Sequence, residues 1–231
     1  IEVIKGTGSV QHGSDAMTGV INIQTTALQL GSKPNWQEKA LIRLSEAGME
    51  LTLRPELKYE GKKIAFVVGA SAKKFGDLKG GDTTGFQHPT GYNEMSYDMK
   101  LKIDLGANWI MTAAYHWLNQ NNVPVFHKYT LENFAVNTSD PLKRGFGYIQ
   151  AQKIFKSTFF KQLDIFVAEQ MIGEQRYSRK NGSAVIRYEK DFVKTVSCGA
   201  DLLVQFNKVW DANTGIEVYN DLISSKRSDK D

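Results

Sequence analysis

The strongest constraint on this chain is an alternation of apolar and polar residues along several long segments. Between residues 95 and 105, every odd position is apolar or aromatic, and every even position is polar or charged. Successive side chains of a β-strand point to opposite faces of a sheet, so this segment predicts a strand with one apolar and one polar face. Residues 49–59 and 196–206 repeat the pattern, with Leu203 as an exception. Helical periodicity is nearly absent after residue 36, and an all-β fold is predicted.

Two kinds of sheet have strands with one apolar and one polar face. A soluble antiparallel sheet packs the apolar face on a core and leaves the other face in water. A transmembrane barrel turns its apolar face to lipid and its polar face to the lumen, in segments of about ten residues. Several segments here reach that length, and no helical segment is available to cover the apolar faces. The pattern favours an antiparallel transmembrane β-barrel with about ten strands after residue 36.

The predicted connections alternate between short and long. Short ones are expected at residues 60–62, 106–108, 156–158 and 190–193. Long ones are expected at residues 75–91, 119–142 and 171–183. Outer-membrane barrels have short turns at the periplasmic end and longer loops at the extracellular end, whereas a soluble sandwich has no reason to place its long loops at one end.

Composition excludes several other classes of protein. The 231 residues carry a net charge of only +4, without the basic face that nucleic-acid binding requires. The single cysteine, Cys198, forms no intramolecular disulfide and no metal cluster. No stretch reaches the ~20 apolar residues of a membrane-spanning helix. No catalytic residues, metal site or cofactor are predicted, and both ends of the chain read as the interior of a longer protein.

Residues 1–26 have a different organisation from the rest. A short apolar segment (residues 1–4) is followed by glycine-rich turns, and a second apolar segment (residues 20–23) follows them. Ser14 or Asp15 is predicted to cap a short helical turn that ends at Gly19. The glycine spacing matches neither the phosphate-binding loop nor the dinucleotide-binding fingerprint. The prediction is a strand, a tight loop, one helical turn and a second strand.

This segment closely resembles the end of the plug domain of TonB-dependent outer-membrane receptors. The family pattern is approximately Ile-Glu-Val-x-Arg/Lys-Gly-Pro-x-Ser-x-x-Tyr-Gly-x-x-Ala-x-Gly-Gly-Val-Ile-Asn-Ile-x-Thr. Thr7, His12 and Thr18 depart from it, where the family usually has Pro, Tyr and Gly. The residues that match are Glu2, Lys5, Gly6, Ser9, Gly13, Ala16, Gly19, Val20, Ile21, Asn22 and Ile23.

The resemblance implies both an architecture and a function. Residues 1–30 would be the C-terminal end of a small α+β plug domain, and residues 31–231 would be the N-terminal part of the barrel, about 10 of its 22 strands. The protein would lie in the cell outer membrane and contact its lipid. It would be a receptor and transporter, not an enzyme, for TonB-energised uptake of a scarce nutrient, with an iron complex such as a siderophore or haem as the expected ligand. The TonB complex would act through plug segments outside this chain.

The resemblance also assigns a role to two charged residues. In the family, the basic residue at the position of Lys5 faces carboxylates of the barrel wall and helps to hold the plug. Glu2 belongs to the same motif. A buried charge requires a partner, so a plug–barrel lock at Glu2 and Lys5 is expected on physical grounds as well.

Candidate substrate-binding residues lie in the predicted loops and in the plug. His88 and His127 fall in the two longest loops, with Tyr129 near the second, and loop histidines could ligate haem iron or another metal. His12 lies in the plug loop. Arg176 and Arg179, followed by Lys180, would form a basic tip on the third long loop, which could attract an anionic siderophore or lipopolysaccharide. Each of these side chains could equally be an ordinary solvated loop residue.

Three alternatives to an iron-complex receptor remain open. Cobalamin or a glycan could be the substrate of a receptor of the same class. A structural or adhesive outer-membrane barrel would transport nothing, although such a barrel needs no plug segment. A soluble all-β binding module would not partition into membranes.

Overall fold

The computed structural model describes residues 2–6, 18–23, 25–31, 33–81 and 83–230. Within these ranges almost every element is a β-strand, and one short helix, α1 (Phe126–Leu131), is present. The strands are β1 (Glu2–Lys5), β2 (Gly19–Asn22), β3 (Asn35–Ser45), β4 (Glu50–Glu60), β5 (Ile64–Phe75), β6 (Leu78–Lys79), β7 (Phe86–Gln87), β8 (Tyr92–Gly106), β9 (Trp109–Asn121), β10 (Val123–Pro124), β11 (Phe134–Ile154), β12 (Phe160–Lys180), β13 (Ile186–Gln205) and β14 (Asp211–Lys230).

Ten of these strands form one antiparallel sheet, as the alternation predicted. Nine long strands follow one another in the order β14-β13-β12-β11-β9-β8-β5-β4-β3, and the short β10 pairs with β11. Apart from this short addition, each strand is hydrogen-bonded to its neighbours along the chain, with the loop ribbon β6–β7 lying between β5 and β8. Strands β3 and β14 form the two edges of the sheet within the described residues.

Burial on the two faces is the reverse of that in a soluble sheet. On one face, called the inner face, polar side chains such as those of Thr52, Ser71 and Glu94 are buried, and Glu94 is only 6% exposed. On the opposite, outer face, apolar side chains are exposed, and Val167 is 53% exposed. Large exposed apolar surfaces mark contact with another apolar phase. The exposed apolar belt of the outer face includes Ile42, Leu53, Val68, Met99, Ile149, Ile165, Val167, Ile216 and Val218.

The inner face carries a small apolar cluster where the chain enters the sheet. Leu28 packs against Ala65 and Val67 of β5, with Leu30 beside them. The backbone N–H of Gly31 donates hydrogen bonds to the carbonyl oxygens of residues 61 and 62 in the β4–β5 turn. Residues 25–31 therefore lie against the inner face, which distinguishes the two faces of the sheet.

The connections fall at two ends of the sheet, as predicted, but with two corrections. The turn end contains the connections 61–63, 107–108, 155–159 and 206–210. The loop end contains the connections 46–49, 76–91, 122–133 and 181–185. The longest two are both at the loop end, close to the predicted 75–91 and inside the predicted 119–142.

The long loop predicted at residues 171–183 and the short turn predicted at 190–193 are both wrong. Strand β12 continues to Lys180, and residues 190–193 lie in the middle of β13, paired with β12 and β14. These strands extend past the apolar belt at the loop end. Both of their faces are mostly polar there, so the alternation that identifies a strand from sequence is lost.

Helix α1 lies in the loop-end connection 122–133. It has no side-chain cap at its N-terminus and none of its residues is buried. No helix among the described residues is long and apolar enough to span a membrane.

Strands β1 and β2 form a separate antiparallel hairpin, in agreement with the two strands predicted for this segment. Lys5 pairs with Gly19, and Glu2 pairs with Asn22. A Cβ on Gly19 would lie 2.9 Å from the carbonyl oxygen of Ile4, so this close strand approach requires glycine. The helical turn predicted between Ser14 or Asp15 and Gly19 lies largely outside the described residues.

A charge placed on the outer belt should be far more costly than one on the inner face. We expect Val167→Lys in β12 to lower the free energy of unfolding by about 2–4 kcal/mol in a bilayer, because the lysine would face hydrocarbon. The measurement is denaturant unfolding of the full-length protein in lipid vesicles. Gln170→Lys, on the inner face of the same strand, is the control and should change stability little. Equal losses in both variants would contradict the assignment of the two faces.

Candidate functional site

On β4, β5 and β8 the inner face carries a network of charged side chains around Arg54. Nη1 of Arg54 donates to Oδ1 of Asp98 at 2.7 Å, and Nη2 donates to Oδ2 at 3.1 Å. Arg54 also donates to the hydroxyl of Ser71 and to the carboxylate of Glu56, both at 3.1 Å. A forked guanidinium–carboxylate pair of this kind is stronger and more directional than a neutral hydrogen bond. The network joins β4, β5 and β8.

Gly69 provides the space for this arginine. It lies on β5 between Glu56 and Asp98 in the register. A Cβ at this position would lie 2.5 Å from Nη2 of Arg54. A side chain there would therefore push the guanidinium off the inner face, away from Asp98.

Two further ion pairs extend the network towards the ends of the sheet. Nζ of Lys73 lies 2.8 Å from the Glu94 carboxylate, to which Gln120 of β9 also donates at 2.7 Å. Near the turn end, Nζ of Lys58 lies 2.9 Å from the carboxylate of Glu60. Because these groups face one another across several strands, the inner face is a fixed array of charges rather than a set of solvated side chains.

The same face holds the segment that connects the β1–β2 hairpin to the sheet. Nζ of Lys100 donates to the Thr25 hydroxyl and to the Thr26 carbonyl oxygen, each at 3.2 Å. Nζ of Lys102 donates to the Leu28 carbonyl oxygen at 3.4 Å. The Glu60 carboxylate accepts from the backbone N–H of Gln29 at 2.8 Å. Charged side chains of the inner face therefore hold the connecting segment through hydrogen bonds to its backbone and to one hydroxyl.

At the loop end, His88 belongs to an ordered loop rather than to a group of ligands. Its Nδ1 lies 2.7 Å from Oδ2 of Asp77, while Oδ1 of Asp77 accepts the backbone N–H groups of Thr90 and Gly91 at 2.8 and 3.0 Å. The hydrogen bond from the Thr90 N–H is the main cause that holds the pKa of the Asp77 carboxyl below its ordinary value, and the hydrogen bond with the His88 imidazole is the second. The His88 side chain is 80% exposed.

His127 and Tyr129 lie together on helix α1 but have different surroundings. Nε2 of His127 is 3.9 Å from the carboxylate of Glu132, the residue that ends the helix. The hydroxyl of Tyr129 lies 2.9 Å from the Thr138 hydroxyl and accepts the backbone N–H of Asn137 at 3.0 Å. Tyr129 therefore fixes the helix against β11, and its role in substrate binding stays a prediction.

Arg176 and Arg179 are strand residues, not the tip of a long loop as predicted. Nε of Arg176 lies 3.3 Å from the Glu189 carboxylate of β13. Nη1 of Arg179 donates to the Ser183 carbonyl oxygen at 3.4 Å in the short connection 181–185. Successive strand residues alternate between faces, so the odd-numbered Arg179 and the even-numbered Arg176 point to opposite sides of the sheet.

The expected plug–barrel lock is only partly described. Glu2 and Lys5 lie on β1 and are exposed. His12 lies outside the described residues. The lock at Glu2 and Lys5, and the substrate role of His12, stay predictions.

The inner-face network is the feature that the sequence interpretation missed. The alternation marked residues 50–58 and 96–104 as polar on one face, but it gave no means of pairing Arg54 with Asp98. That pairing depends on the register among β4, β5 and β8. Among the described residues, no group of three or more His, Cys, Asp or Glu side chains is placed to hold a metal ion.

Comparisons with known proteins show a similarity to solved structures. No family model matches the chain, and no curated protein matches it. Among solved structures, the chain is similar to one named "Copper transporter OprC", with a TM-score of 0.80 and 11% sequence identity. The match covers 97% of this chain and 33% of that chain, so this chain spans about a third of the length of the solved protein.

At this identity the match shows a shared fold and nothing finer. It extends over nearly the whole chain, so the sheet as a whole takes part in the match. Together with the reversed burial of the two faces, it confirms the predicted fold class, an antiparallel transmembrane β-barrel of which this chain forms a part.

Removing the Arg54 side chain should destabilise the sheet. We expect Arg54→Ala to lower the free energy of unfolding by about 1–3 kcal/mol, because Asp98 and Glu56 lose their shared partner on a half-buried face. Urea unfolding of the full-length protein in micelles measures the change. The control is Arg43→Ala on β3, whose arginine is 65% exposed and makes one ion pair at 3.5 Å; it should have little effect. A loss no larger than that of the control would show that the ion pairs of Arg54 do not stabilise the sheet.

Acid should open the loop 76–91. Since the pKa of Asp77 is lowered in the fold, its carboxylate stabilises the loop fully above the ordinary value of 3.8, and this contribution is lost as the pH falls through the lower folded value. We expect Asp77→Asn to give fast exchange of the Thr90 and Gly91 amides already at neutral pH. Hydrogen exchange read by mass spectrometry measures this, and Asp104→Asn in the turn end is the control. Unchanged protection in Asp77→Asn would refute the anchoring role.

Proposed function

We propose that this chain is the junction between plug and barrel of an outer-membrane receptor that imports an iron complex, a siderophore or haem, with energy from the TonB complex. The carrying observation is the arrangement at the inner face. A segment with the plug-domain motif leads into residues 25–31, which the charged wall holds through Lys100, Lys102 and Glu60.

This arrangement suits a transport barrel better than a passive one. A barrel that only anchors or adheres needs no chain inside its lumen, and it could fill the lumen with its own side chains. Here the polar wall makes charge-assisted contacts with a segment of the same chain that enters from the plug side. Residues 1–30 would be the C-terminal end of the plug that occupies the lumen, and residues 31–231 would be the N-terminal part of the barrel.

The wall contacts are also of a strength that permits movement. Hydrogen bonds from Lys100 and Lys102 to backbone carbonyls are individually worth only about 1.5–3 kcal/mol. Each can be exchanged for water or for another carbonyl if the plug is displaced. Polar contacts of this kind hold a plug in register at rest without the permanence of an apolar core.

The cargo assignment rests on the family resemblance. The structurally similar transporter is named for copper, and that name describes the cargo of that protein. We propose an iron complex for this chain, with His12, His88 and His127 as candidate contacts, and copper becomes one arm of the test. Arg176 and Arg179 remain candidates for an anionic complex, although they now belong to β12.

Uptake in cells tests the proposal. In a strain that lacks the gene and carries it again on a plasmid, we expect accumulation of radioactive iron supplied as a siderophore or as haem to require the gene, and to stop when TonB is deleted. Total abundance of the full-length protein in the outer membrane should also rise under iron starvation. Lys5→Ala is expected to increase hydrogen exchange of the plug if the lock exists.

The other outcomes identify the alternatives. Gene-dependent uptake of cobalamin, a glycan or copper instead of iron would keep the transporter and replace the cargo. Outer-membrane location with no gene-dependent uptake of any of these would favour a structural or adhesive barrel. Absence of the expressed protein from the outer membrane would refute the membrane assignment itself.

A further inference from the structure

The segment that leads from the β1–β2 hairpin to the sheet changes its burial abruptly at Leu28. Residues 25–27 are exposed, whereas Leu28 is only 4% exposed. Its side chain packs against Ala65, which is 0% exposed, and Val67, which is 5% exposed. A leucine that leaves such a site loses its apolar contacts and leaves a cavity behind. The step between residues 27 and 28 therefore separates a loosely attached part of the segment from a firmly attached part.

After Leu28, the segment is fixed through its backbone. The N–H of Gln29 donates to the carboxylate of Glu60 at 2.8 Å, and Glu60 is itself only 7% exposed. The N–H of Gly31 donates to the carbonyl oxygens of Gly61 and Lys62 at 3.2 and 3.1 Å. All these acceptors belong to β4 or to its turn into β5. Residues 28–31 are therefore joined to the sheet by both apolar packing and backbone hydrogen bonds.

Residues 25–27 have a more adaptable attachment. Within the part of the chain that the structure describes, their hydrogen bonds to the sheet come from Lys100 alone, whose Nζ donates to the Thr25 hydroxyl and the Thr26 carbonyl oxygen at 3.2 Å each. A lysine carries its three rotatable donors on a flexible stem. Its Nζ can follow these acceptors over a short distance or exchange them for water. This contact holds residues 25–27 at rest without fixing their position.

The order of the contacts along the chain decides how a displacement of the hairpin is transmitted. The hairpin ends at Asn22, and the acceptors of Lys100 lie between it and Leu28. A pull on the hairpin therefore acts on residues 25–27 before it reaches residues 28–31. Parts of a structure with few buried contacts open at a lower free energy than parts with many. The contact with Lys100 is expected to break first.

We propose that residues 28–31 are the fixed end of the link between plug and barrel, and that residues 25–27 are the pivot on which the plug moves. Lys100 is the releasable contact of the pivot. Lys102, whose Nζ donates to the Leu28 carbonyl oxygen at 3.4 Å, belongs to the fixed end. The proposal rests on the proposed transport function, since only a plug that moves needs a pivot. It adds the residue beyond which the movement does not extend.

Hydrogen exchange of the purified full-length protein tests the fixed end without cargo or TonB. In micelles, we expect the amides of Gln29 and Gly31 to stay protected at urea concentrations at which the hairpin amides already exchange freely. Leu28→Ala should speed the exchange of both protected amides about thirtyfold, the lower end of the range for truncating a buried leucine. Leu131→Ala is the matched control, because this leucine is 81% exposed on α1, and it should change neither amide.

Thiol labelling in cells tests the pivot. In a Cys198→Ser background, which removes the cysteine of this chain, Ala27→Cys and Leu28→Cys place one reporter on each side of the proposed boundary. When cargo is present and the membrane is energised, we expect the reporter at position 27 to react faster with a small maleimide than in de-energised cells. The reporter at position 28 should stay protected in both conditions, because its side chain does not leave Ala65 and Val67.

The contrary outcomes are distinct. Exchange of Gln29 and Gly31 together with the hairpin, or no effect of Leu28→Ala, would overturn the fixed end. Rapid labelling at position 28 in energised cells would overturn it as well, because the link would then detach as a whole. Equal labelling at position 27 with and without energy would overturn the pivot and count against TonB-driven movement. The exchange result would still decide the fixed end in that case, since it requires no transport.

Discussion

Backbone hydrogen bonding between antiparallel strands is the constraint on which the rest of this structure depends. In hydrocarbon an unpaired N–H or C=O group costs several kcal/mol, so a chain that spans a membrane with strands must pair each of them with a neighbour. Here every long strand of the interior of the sheet is paired on both sides, and the longest, β11 and β12, have 21 residues each. Once the backbone is satisfied in this way, the side chains are free to divide between two very different surroundings.

That division explains why the usual signs of stability are reversed. The outer face exposes Val167 and its neighbours because lipid, not protein, covers them, and among the described residues the buried apolar cluster is limited to Leu28, Ala65 and Val67. Specific interactions are instead concentrated on the inner face. There, the pairing of Arg54 with Asp98 links three strands, and Lys100 and Lys102 hold the incoming segment. The face that stabilises the sheet is thus also the surface that holds residues 25–29.

The loop end has a different character from both faces. Strands β11 to β14 continue past the apolar belt, and their ion pairs, such as Arg187 with Asp229, lie among exposed residues. Beyond the belt, the two faces no longer differ in hydrophobicity. They still differ in charge, because the outer face has unpaired lysines and the inner face has paired arginines. Exposed pairs contribute little to stability. This region is therefore better suited to recognition than to holding the sheet together.

The sequence by itself determined the class of fold, because side chains that alternate with a period of two residues show which of them share a face. Residues 95–105 follow this alternation without exception. It also located the turns at 60–62 and 106–108, where the alternation of one strand ends and that of the next begins. Only the tertiary structure decided the register, and with it the partners of Arg54, Glu94 and Lys190, because pairing across strands depends on contacts distant in sequence. The errors at 171–183 and 190–193 have the same physical origin: where both faces meet water, hydrophobicity carries no period, and only hydrogen bonding to neighbouring strands defines β12 and β13.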